Sequence, residues 1–201
     1  MEKEAIQNKE KNFVSCVLYL HNDGKNIREF LKTVCGTMEQ NFEKYEIVCV
    51  NDCCMDDTIE EIHRYLEESN TRHVVSLINL SFYQGVEMAM NAGRDLAVGD
   101  FLFEFDRCLL DFEPSLIMDI YHKALEGYDV VAAAPKRDVA FTSRLFYAVY
   151  NLGSRNTHKL RQERFRIISR RAVNRVNQMN AYILPQGHVY ELRTAGGDHS
   201  L

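Results

Sequence analysis

Apolar residues in this chain follow two alternating rhythms, short unbroken runs and longer stretches at helical spacing. Phe13 to Leu20 is almost continuously apolar, Tyr45 to Val50 carries Ile47, Val48 and Val50, and Val74 to Leu80 and Gly99 to Asp106 repeat the pattern. Runs of this length, rich in β-branched residues, predict strands buried on both faces of a sheet. Between them, Ile27, Phe30, Leu31 and Val34 predict a helix from about Lys25, with Gly36 near its end. Ile59, Ile62 and Leu66 predict a second, opened by Asp57 and Thr58 and running to about Ser69. A third is expected from Gln84 to Val98, with Val86, Met90 and Leu96 facing inward. Pro114, a favoured first-turn residue, marks a fourth helix, Tyr128 to Ala134 a fifth strand, Phe165 to Ser169 a further strand and Arg170 to Asn180 a last helix. Strand-helix units in series with right-handed crossovers predict an α/β fold, a Rossmann-like, mostly parallel sheet with helices on both faces.

In such a sheet, ligands bind in the crevice beyond the carboxyl ends of the strands, so the polar residues there are functional candidates. Asn51 and Asp52 end the second run, and Asp56 or Asp57 fits a helix cap. Capping leaves Asn51 and Asp52 without a reason. The fourth run ends on Glu104 and Asp106, with Asp111 close behind. Two parallel strands that both finish on carboxylates place those groups in one crevice, and paired oxygen ligands suit a hard divalent cation bound to a diphosphate. The competing reading makes Asp106 a turn cap and turns Glu104 to solvent. No glycine-rich phosphate loop follows any strand, which counts against ATPase and dehydrogenase chemistry.

Length and composition narrow the picture. The 201 residues are enough for one domain with its own core, expected over 13–180 between a charged extension at 1–12 and a tail at 181–201. The extension alternates Lys and Glu and lacks the apolar centre of a signal peptide. Nothing later supplies the roughly 18 consecutive apolar residues of a spanning helix, so a cytoplasmic location is expected. A net charge of −5 argues against a nucleic-acid partner. The six cysteines are expected to be reduced, with Cys16, Cys35 and Cys49 acting as small core residues. Within this acidic chain, 151–180 is basic, with Arg155, Lys159, Arg161, Arg164, Arg166, Arg170, Arg171 and Arg175 against Glu163 alone. An anionic partner, or simply a solvated helix face, accounts for it. The apolar side of Phe141 to Leu152 fits either packing on the sheet or peripheral contact with an anionic bilayer at the inner face of the membrane.

Six fragments, in order and in register, carry a family resemblance. Val14 to Asn26 resembles V-S-V-V-I-P-x-Y-N-E-x-x-N, and Val50 to Thr58 resembles V-D-D-G-S-x-D-x-T. Leu80 to Gly85 is similar to L-S-R-N-x-G, and Ala97 to Asp100 to A-x-G-D. Ser143 to Tyr147 and Phe165 to Arg170 resemble S-R-L-F-Y and F-R-L-x-S-R. From about Phe13 to Asn180 the chain thus resembles a family 2 glycosyltransferase of the GT-A fold, in the branch of dolichyl- or polyprenyl-phosphate sugar transferases.

The resemblance implies an inverting, metal-assisted transfer of a sugar from a UDP- or GDP-linked nucleotide diphosphate sugar to a polysaccharide or to an anionic, lipid-linked acceptor. It places Leu20, Asn22, Asn51, Asp52, Gly85 and Asp106 around the nucleotide sugar. Asp106, as the first acid of a D-x-D motif, with Glu104 or Asp111, would hold Mg or Mn. Lys136, Arg137, Arg164 and Arg166 would face the acceptor or its phosphate. The departures are specific: Cys108 stands at the second acid of D-x-D, Cys53-Cys54 at Gly-Ser, Tyr83 at an Asn, and Arg164 at the acid before F-R-L. They support an alternative, a catalytically degenerate GT-A domain acting as a binding or regulatory subunit. A nucleotidyltransferase fits less well, because His21 to Gly24 is not a glycine- and basic-rich loop.

Overall fold

The computed structural model describes residues 9–133 and 165–178. In chain order the elements are β1 (Val14–Leu20), α1 (Ile27–Asn41), β2 (Tyr45–Asn51), α2 (Thr58–Glu68), β3 (Val75–Asn79), α3 (Val86–Leu96), β4 (Phe101–Phe105), α4 (Ser115–Leu125), β5 (Val130–Ala133), β6 (Phe165–Ser169) and, labelled here α5, Arg170–Gln178. The strands form one sheet in the order β3-β2-β1-β4-β6-β5. β1 pairs in parallel with β2 and β4, and β2 with β3. β6 lies between β4 and β5 and runs antiparallel to both. The predicted α/β architecture is the observed one.

The alternation along β1 explains its central place. Val14, Cys16, Leu18 and Leu20 face one core with α1, α2 and α4, whereas Val17 faces a second core with α3 and α5. All five are fully buried. A strand apolar on both sides is stable only where helices cover both faces. Cys16, Cys35 and Cys49 are buried, and all six cysteines are free thiols.

Several boundaries differ from expectation. α1 continues through Gly36 to Asn41, because its inward stripe extends to Met38 and Phe42 closes the helix through its amide to the Met38 carbonyl. Leu96 is exposed, and Gly93 and Arg94 take the inward positions of that turn of α3. A side chain at Gly93 would collide with Val17 and Val50, so glycine lets α3 lie close on the sheet. Glu10 and Asn12 of the expected extension already pack on the domain. Glu10 bridges to Phe42, and Asn12 Nδ2 donates to the Tyr121 hydroxyl at 2.8 Å. Among the described residues no helix is long and apolar enough to cross a membrane.

The basic segment is also tied inward where it is described. Arg170 donates to the carbonyls of Gly99 and Ala97 at 2.9 and 2.6 Å, Arg171 pairs with Asp129, and Arg166 pairs with Glu104. Those three arginines bond to the protein itself, although the Arg171 side chain is 54% exposed. The expected helix over 141–152 lies outside the described residues.

At the amino edge of the sheet, Ser15 Oγ accepts the Gly99 amide at 2.8 Å and donates to Glu46, which also accepts the Val98 amide. A Cβ on Gly99 would lie 2.6 Å from the Ser15 amide nitrogen. We predict that Gly99→Ala lowers unfolding free energy by about 1–3 kcal/mol, the usual cost of overpacking against backbone, read from the urea midpoint. A loss below about 0.5 kcal/mol would mean that the turn shifts freely.

Candidate active site at the carboxyl edge of the sheet

Four loops meet beyond the carboxyl ends of β1 to β4. The pairing places Leu20, Asn51 and Asn79 at one level, and Asp106, one residue past the Leu18–Phe105 pair, level with Tyr19. Asp52 and Asp106 therefore share the crevice from two strands apart, about 10 Å between strand axes, with β1 between them.

Asp52 is fully buried. Its Oδ1 accepts the Gln84 amide at 2.7 Å, and its Oδ2 accepts the Gly85 amide at 2.8 Å and the Tyr19 hydroxyl at 3.1 Å. Gly85 has φ 85°, a left-handed conformation that aims its amide back at Asp52 while opening α3. A carboxylate removed from water needs such donors on both oxygens. Through these bonds Asp52 clamps the loop before α3.

The neighbouring candidates form the same junction. Asn51 donates to Asn79 Oδ1 at 2.9 Å and accepts the Cys54 amide at 2.8 Å. Asn22, at φ 61°, accepts the Met55 amide at 2.8 Å and thereby joins the loop after β1 to the loop after β2. Asp56 accepts the Gly24 amide at 2.9 Å and the Thr58 amide. Leu20 is wholly buried, and its side chain packs in the core. Cys53 holds φ 56°, the left-handed conformation that the resembled Gly would adopt. For a residue with a Cβ that conformation costs about 1–2 kcal/mol.

The acids at the end of β4 part company. Glu104 is 2% exposed on the α3 side of the sheet, and its two oxygens are taken by Arg94 of α3 and Arg166 of β6, the latter at 2.7 Å. Burial, the largest influence, pushes its carboxyl up, but the two guanidinium groups outweigh that and hold it below its ordinary value. Neither the expected metal-ligand role nor a solvent-facing one fits a carboxylate so enclosed. Asp111 pairs with Arg107 at 3.5 Å, partly exposed. Cys108 turns to the opposite face and packs in the core with Leu18 and Phe105, its thiol donating to the Tyr19 carbonyl at 3.6 Å. Burial keeps that thiol protonated, and the thiolate is the form that ligates metals.

Asp106 is the exception. Its Oδ1 is buried without a hydrogen-bond partner, one of three such side-chain atoms among the described residues, with Asn91 Nδ2 and Asp129 Oδ2. Burial is the largest influence on its carboxyl and raises it above the ordinary value, against the pull of Arg107 and Arg166. One unengaged carboxylate does not make the oxygen-rich set that Mg²⁺ or Mn²⁺ requires. Among the described residues no group of three or more His, Cys, Asp or Glu side chains fits a metal ion. Lys136, Arg137 and Arg164 lie outside the described residues.

Sequence reasoning missed the aromatic edge and Arg94. His21 and Tyr83 stand with ring centroids 4.9 Å apart, and His21 Nδ1 is bonded to the Asp52 carbonyl at 2.8 Å. Tyr83 and Phe82 are exposed beside them. A charged residue on the inward stripe of α3, one turn after Met90, was the readable sign that Arg94 has a buried partner.

Two predictions follow from the acids. Glu104→Ala leaves buried guanidinium charge unmatched and should cost about 3–5 kcal/mol, whereas the exposed Asp111→Ala pair should cost under about 1 kcal/mol in the same urea titration. Because the folded carboxyl of Glu104 titrates below its unfolded value of 4.5, its contribution is present above that pH and is lost as the pH falls through the lower folded value. Asp106 has the opposite sign. Its contribution is favourable below 3.8 and lost as pH rises through the higher folded value. Asp106→Asn should therefore raise the melting temperature at pH 7 and give no gain at pH 3, and a lower melting temperature at pH 7 would contradict this.

The sequence model described as Glycosyl transferase family 2 matches residues 15–182. An uncharacterised glycosyltransferase of Synechocystis sp. is 29% identical over 174 residues, covering 83% of this chain and 53% of that protein. An undecaprenyl-phosphate 4-deoxy-4-formamido-L-arabinose transferase of Pseudomonas syringae is 30% identical over 119 residues, 59% of this chain and 36% of the relative. The chain thus spans about half or less of the length of these relatives. Among solved structures, a mannosyltransferase from Pyrobaculum calidifontis in complex with GDP-Man and Mn²⁺ superposes with TM-score 0.62 at 18% identity, covering 83% of this chain and 47% of that one, which speaks for the fold. With its GT-A sheet and a family match across most of its length, the chain belongs to glycosyl transferase family 2.

Proposed function

We propose that the chain is the donor-binding domain of an inverting glycosyltransferase, which moves a sugar from a UDP- or GDP-linked donor to a polyprenyl-linked or polysaccharide acceptor at the cytoplasmic face of a membrane. The observation that carries this reading is Asp106. Its Oδ1 is buried at the end of β4 and has no hydrogen-bond partner among the described residues.

The nucleotide base lies against the His21 and Tyr83 rings, and the loop amides fixed by Asp52 shape the pocket for the ribose and diphosphate. The acceptor oxygen attacks the anomeric carbon from the face opposite the leaving group. The bond from that carbon to the diphosphate oxygen breaks, the nucleoside diphosphate departs with the electron pair, and the configuration inverts. Asp106 faces the donor sugar and orients it for that attack. Mn²⁺ accompanies GDP-Man in the Pyrobaculum structure. Among the described residues no equivalent ligand set forms, and no step is routed through a metal. The undecaprenyl-phosphate named for the Pseudomonas relative supports a lipid phosphate acceptor.

A second reading, a binding or regulatory subunit without turnover, is favoured by Cys108, whose burial removes the second acid of D-x-D from the crevice. Incubation with UDP- and GDP-sugars and undecaprenyl phosphate in detergent separates the two. Transfer should release nucleoside diphosphate, and Asp106→Ala should slow that release by about 100-fold or more while leaving the fold intact by circular dichroism. Calorimetric binding of UDP or GDP without turnover, unaltered by Asp106→Ala, would establish the second reading. No heat with any common nucleoside diphosphate would sink both.

A further inference from the structure

The carboxyl end of β4 carries its own cations. Glu104 holds two guanidinium groups, Arg94 and Arg166, on the α3 side of the sheet, and Asp111 holds Arg107. Asp106 stands between these pairs. Arg107 follows it directly, and Arg166 is the cross-strand partner of Glu104, two residues before Asp106 on the same face. Arg166 is 13% and Arg107 40% exposed at the side chain, so one lines the depth and the other the mouth of the same corner.

Among the described residues this arrangement leaves no ligand set for a D-x-D metal. A hard divalent cation needs several unengaged oxygens. Here Glu104 and Asp111, the acids able to replace the missing one, are spent as anchors for arginines, and Cys108 points into the core on the other face. A guanidinium offers phosphate a planar fork of donors with a charge that does not titrate. A carboxylate on one side of that fork fixes its direction, and Glu104 holds both Arg94 and Arg166 in this way.

We propose that Arg166 and Arg107 take the place of a divalent metal, binding the donor's diphosphate directly, with Glu104 and Asp111 holding the two guanidinium groups in position. The inference rests on the nucleotide-diphosphate reading above. The charge that develops on the departing diphosphate is then met by fixed cations already aimed at the crevice, which need no reorganisation during the reaction.

Calorimetry on the full chain with GDP and UDP, in excess EDTA and again with saturating MnCl₂, tests this. The dissociation constant of whichever nucleotide binds should differ by less than about threefold between the two conditions, and in EDTA Arg107→Gln should weaken binding by at least about fivefold. Arg166→Gln should do the same if circular dichroism finds it folded. Arg107→Gln decides the matter where it is not, because its pair is exposed. Tightening by Mn²⁺ of about threefold or more, or a smaller loss in Arg107→Gln, overturns the inference while leaving the donor reading in place. Absence of binding by either nucleotide under both conditions removes the donor reading and this inference with it.

Discussion

A carboxylate taken fully out of water must be met by donors on both oxygens, and the site is assembled around one that is. Asp52 sits at the end of β2 with no exposed surface and draws in two backbone amides of the loop before α3 and the Tyr19 hydroxyl from β1. That single requirement fixes the loop after β3 against the ends of β1 and β2. It also brings His21 and Tyr83 into ring contact. Burial and the bond to Asp52 push the Tyr19 hydroxyl far above its ordinary titration, so it remains a donor at any physiological pH.

Glu104 does the same two strands away. Its ion pairs with Arg94 and Arg166 join α3, β4 and β6, so the helix clamped at its start by Asp52 is held at its far turn by Glu104. Buried ion pairs are weak contributors to net stability but severe penalties when broken. Their value here lies in direction. Each arginine is anchored by the Glu104 carboxylate. Asp106, between them, keeps an unsatisfied oxygen and a raised titration, a cost to stability placed where the chemistry is expected.

Most of the fold was legible in the sequence because burial on two faces leaves continuous apolar runs, as at Val14 to Leu20, and one-faced helices leave a stripe, as at Ile27 to Val34. The insertion of β6 between β4 and β5 was not, because strand order is set by pairing between distant segments rather than by local pattern. The site was half legible. Strand ends located Asn51, Asp52, Glu104 and Asp106, but the direction of a side chain past the last strand residue depends on loop backbone, so Asp106 and Cys108 fall on opposite faces. The partners of Asp52 are mostly backbone amides, which no residue type announces. Arg166 lies 62 positions from Glu104, a pairing that only the antiparallel register reveals.

A crystal structure of the chain soaked with the tighter-binding of UDP and GDP tests the central claim most directly. The base should lie against His21 and Tyr83 and the diphosphate at the carboxyl ends of β1 and β4, with phosphate oxygens on Arg107 and Arg166. A nucleotide bound away from that edge, or a diphosphate reached only through a metal ion held by Asp106, would contradict it.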